Sequence, residues 1–77
     1  MMSKAALEEK ELLRQFIMTR LQAGVDLRSI VVGQAAAIGA VTATSSPNVF
    51  QMEVSLGALV QVMRHNAQLE MPAAGNG

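Results

Sequence analysis

The sequence predicts an all-α protein of three helices that associates with copies of itself. Three observations carry that expectation. The first 23 residues are dominated by strong helix formers with one apolar face. Residues 29–52 carry no charge and are rich in Ala, Val and Gly, and their unbroken run to Thr44 is too long for an ordinary strand. The chain has only 77 residues, yet 51% of them are apolar. A core of that size rarely contributes more than ~3–5 kcal/mol, so small proteins add disulfides, metals or self-association. There is no Cys and one His, which leaves self-association as the natural remedy. One helical domain is expected over 1–77, with 72–77 as a frayed tail.

The first helix is read over Ser3–Ala23. Ser3 is a suitable N-cap, and Gly24 stands where a helix-ending glycine belongs. Leu13, Phe16, Ile17 and Leu21 are spaced i, i+3, i+4, i+8 and so share one face, which Ala6 extends backwards. Leu7, Leu12 and Met18 lie off that face. Glu8, Glu9, Lys10, Glu11 and Arg14 alternate in sign and read as a solvated surface.

Asp26 is placed to cap a second helix running from Leu27 to about Thr44. Its alanines favour helix, whereas Gly33, Gly39 and the β-branched residues oppose it. The rival reading makes Ile30–Val32 and Ala40–Thr44 two short strands. Small residues recur four apart at Gly33/Ala37, Ala35/Gly39, Ala36/Ala40 and Gly39/Ala43. Small side chains at that spacing let two helix backbones approach closely.

Ser45-Ser46-Pro47-Asn48 is the clearest break. Ser46 is expected as the N-cap and Pro47 as the first residue of a third helix reaching Leu69. Met52, Leu56, Leu59, Val60, Met63 and Ala67 form a regular stripe along it. Val54, Ala58, Val62 and Leu69 lie away from the stripe, so this helix is apolar beyond one face. Helices two and three would build a core shared between copies, with helix one covering it through its Leu13–Leu21 face.

Nine of the twelve formal charges fall in residues 4–28, and the net charge is zero. Neutrality argues against a nucleic-acid binder held by bulk electrostatics. Residues 35–39 have the Ala-xxx-Gly spacing of a helix-turn-helix, but the following helix offers no Lys or Arg before Arg64. Residues 33–39 resemble a phosphate loop only in their glycines, lacking the Gly-Lys-Ser/Thr ending and a preceding strand. His65 is the sole His, and with scattered acids it builds neither a catalytic triad nor a metal site. No cofactor, no metal and no enzymatic activity are expected. The six Met are read as ordinary core filling.

The function expected is therefore that of a non-enzymatic helical protein–protein interaction module, such as an adaptor, inhibitor, chaperone-like protein or structural subunit. Its partners would be itself, as a homodimer, and a further protein. The surface expected to carry association comprises Gly33, Ala36, Gly39 and Ala40 on helix two with Val54, Leu56, Leu59, Val62 and Met63 on helix three. Leu7, Leu12, Met18 and Leu69 are further candidates for a partner. A membrane-associated small protein using the uncharged 29–52 segment is the alternative. Spanning is disfavoured because the apolar run is about 15 residues against the roughly 20 a bilayer requires. Met1–Gln15 is not signal-like, since an apolar run should follow a basic start, and a soluble cytoplasmic protein is expected.

Overall fold

The computed structural model describes residues 2–72 and contains three helices in chain order: α1 (Lys4–Gln22), α2 (Leu27–Ser45) and α3 (Val49–Glu70). The all-α expectation holds, and no strand occurs among the described residues. The rival strands at 30–32 and 40–44 are both parts of one continuous α2. The alanines around Gly33 and Gly39 outweigh them, because two interior glycines cost about 1 kcal/mol each relative to Ala. Of the expected frayed tail, 73–77 lie outside the described residues.

Each helix boundary has a local chemical cause. At the start of α1 the Ser3 hydroxyl accepts from the Ala6 backbone N–H at 3.1 Å. At its end the Val25 N–H donates to the Arg20 carbonyl at 3.1 Å and the Gly24 N–H to the Leu21 carbonyl at 3.0 Å. These two bonds make a Schellman motif, which needs a left-handed residue after the C-cap. Gly24 supplies it with φ +92°, the single positive φ among the described residues.

The expected Asp26 cap is present and double. One carboxylate oxygen accepts from the Ser29 N–H at 2.9 Å, and the other accepts from the Ser29 hydroxyl at 2.8 Å. These bonds favour the ionised carboxyl, so its pKa lies below the ordinary value, with the Ser29 N–H as the largest cause.

The start of α3 corrects the sequence reading. Asn48, not Ser46, is the N-cap: its side-chain oxygen accepts from the Gln51 N–H at 2.9 Å. The first helical residue is Val49 rather than Pro47. Ser46 instead closes α2, its hydroxyl donating to the Thr42 carbonyl at 2.6 Å. Asn is at least as good a cap as Ser, and Ser46 satisfies one of the carbonyls that every helix leaves open at its C-terminus. Neighbouring hydroxyls also bond carbonyls of their own helix. Thr42 donates to the Ile38 carbonyl at 2.7 Å, and Ser45 to that of Val41 at 2.7 Å.

The chain divides into two compact units, Met1–Ala37 and Ile38–Gly77, with the division falling inside α2. In the first, Ile30 is buried at 7% exposure, the single buried residue recorded in the described chain. In the same unit Ala6, Lys10, Ile17 and Leu21 of α1, Val25 of the turn and Gln34 of α2 are half-buried. Ala6, Ile17 and Leu21 belong to the apolar face read from the sequence. Leu13 and Phe16, expected on the same face, remain exposed. They lie on its flank, towards Arg20 by helical spacing.

In the second unit the half-buried residues are Gly39, Thr42 and Ser46 towards the end of α2, and Met52, Leu56 and Asn66 on α3. The α3 stripe is thus partly covered at its start. Farther along, Leu59, Val60 and Met63 are exposed, Met63 at 57%. No residue of α3 is buried.

Candidate interaction surface

The residues expected to carry association do not fall on one face. On α2, Gly33, Ala36 and Ala40 are spaced i, i+3, i+7 and share a face, and all three are exposed. Val32, 58% exposed, and Ala43 border it. Gly39, three residues after Ala36, lies at the edge of that face, in register with Thr42 and Ser46, and is half-buried. The four overlapping small-residue pairs therefore resolve into separate faces, which the spacing of each pair alone does not reveal.

On α3 the five residues also divide. Leu56, Leu59 and Met63 share the face of Met52, at i, i+4, i+7 and i+11. Val54 and Val62 share another with Ala58 and Leu69. Val54, Val62 and Leu69 are all exposed. Both faces of α3 are thus apolar, and neither is fully covered. At the first turn Phe50 is 72% exposed. On α1 the further candidates Leu7, Leu12 and Met18 are exposed too.

The glycines inside the helices have room around them. An added Cβ at Gly33, Gly39 or Gly57 meets nothing within 4 Å. Among the described residues, no close approach requires any of the three. Their cost in helix propensity is consequently unrepaid by packing inside one molecule.

Two polar residues occupy positions that sequence reasoning passed over. Gln34 lines an open cleft of about 280 Å³ in the first unit, together with Phe16, Arg20, Val25, Ser29, Ile30, Gly33 and Ala37. Its Nε2 is buried without a hydrogen-bond partner. An unsatisfied buried donor costs about 1–3 kcal/mol. The available signal was the lone amide in an otherwise apolar and small-residue stretch. Asn66 is the second: it interrupts the Met52–Met63 face, and its Nδ2 donates to the Val62 carbonyl at 3.0 Å.

Among the described residues no group of three or more His, Cys, Asp or Glu side chains is placed to hold a metal ion. What the described chain does offer is apolar area on every helix and an uncharged middle. α2 is 19 residues long, and its most apolar 18-residue window has mean hydropathy 1.3 and is only 6% buried. Comparisons with protein-family models, curated proteins and solved structures find no match.

Proposed function

We propose that this chain is a non-enzymatic helical interaction module that associates with copies of itself through apolar helix faces. The observation that carries this reading is the burial pattern: among the described residues only Ile30 is buried, while Val32, Val41, Phe50, Val54, Val62 and Leu69 stand in solvent. Covering a large apolar side chain contributes roughly 1.5–3 kcal/mol. A second copy supplies that cover without any charge pattern to match, because residues 29–52 carry none. The Gly33/Ala36/Ala40 face admits a close helix backbone, and the Val54/Val62 face offers larger side chains to interdigitate. Two-fold pairing is the commonest arrangement of identical chains.

The test is light scattering on purified protein without detergent, over a hundredfold range of concentration. Association predicts a mass above that of one chain, falling on dilution by mass action. A single-chain mass throughout would remove self-association and leave a different protein as the partner.

One observation favours a second reading, in which the chain is membrane-associated. α2 is long and apolar enough to cross a bilayer. At ~1.5 Å per residue its 19 residues extend about 28 Å, close to the ~30 Å hydrocarbon core. Thr42, Thr44 and Ser45 each bond a carbonyl of their own helix, which suits an environment without water. Gln34 and the small side chains weigh against it: the segment has one Ile and no Leu between Val32 and Ser45. Flotation with lipid vesicles separates the two readings. Self-association alone leaves the protein at the bottom of the gradient, and membrane association carries it up with the lipid.

A further inference from the structure

No further inference is drawn: the strongest candidate, the open apolar cleft between α1 and the start of α2 beside the unpaired Gln34 amide, lies on a surface for which nothing in the structure shows what covers it.

Discussion

Replacing Gly33 with alanine separates the role of that residue within one chain from its role between chains. Gly33 lies inside α2 without a positive φ, and a Cβ there meets nothing within 4 Å. In an isolated chain the substitution therefore removes only the helix penalty of glycine, a gain of about 1 kcal/mol. Gly57→Ala, equally open and outside the proposed surface, serves as the control with the same expected gain. Between copies the outcome differs. If α2 helices approach through Gly33, Ala36 and Ala40, the new methyl stands in the contact. Overpacking of that kind costs roughly 1–3 kcal/mol, a ~5–150-fold rise in dissociation constant. Urea unfolding followed by circular dichroism, run beside light scattering at matched concentrations, reads both effects. The expected pattern is that Gly57→Ala raises the unfolding midpoint and leaves the mass profile unchanged. Gly33→Ala should dissociate at higher protein concentration than the parent. Equal midpoints and equal mass profiles for the two variants would refute the Gly33/Ala36/Ala40 face as a contact.

Three other outcomes are expected. Ile30→Ala should lower stability by about 2 kcal/mol, the low end for a large-to-small change because half-buried neighbours can close around it; denaturant unfolding checks this, and a loss under ~0.5 kcal/mol would show that Ile30 anchors nothing. Asn48→Ala should cost about 1 kcal/mol of α3 stability through its lost cap, while Ser46→Ala leaves the first turn of α3 formed; amide exchange at Gln51 distinguishes them, and the reverse order would restore Ser46 as the cap. Asp26 has a lowered pKa in the fold, so its cap stabilises above the unfolded carboxyl range near pH ~4 and is lost as pH falls through the folded value. The Asp26→Asn variant keeps a capping side chain without the charge and should show a shallower loss of helix on acidification by circular dichroism; identical acid profiles would dismiss the contribution of the charge.

The helices were legible because their ends are written in local chemistry. Ser3, Gly24 and Asp26 each act through atoms within a few residues, so their roles follow from position in the sequence. The start of α3 lies two residues beyond the position its sequence suggests, for a related reason. Ser46 and Asn48 are both good caps, and only the end of α2 decides between them, since the Ser46 hydroxyl is engaged with Thr42. Burial was less legible. The Leu13–Leu21 spacing locates an apolar face, but how much of it is covered depends on where the opposing helix passes, and Leu13 and Phe16 were left exposed. The same holds for Met63, on a regular stripe yet in solvent. The candidate surface looks like one set of residues in the sequence. Helical geometry splits it, because Gly39 and Gly33 are six apart and Val54 and Leu56 two apart, spacings that place them on different faces. The unpaired amide of Gln34 could not be read from sequence at all, since it depends on the burial of a single nitrogen atom.

The most direct measurement is the mass of the purified protein by light scattering, without detergent, from low micromolar concentration upwards over two orders of magnitude. Self-association through the exposed apolar faces predicts two or more chains at the upper end, dissociating on dilution, with Val62→Asp shifting the profile towards the monomer. A constant mass of 8.2 kDa across the range, unchanged by Val62→Asp, would contradict it.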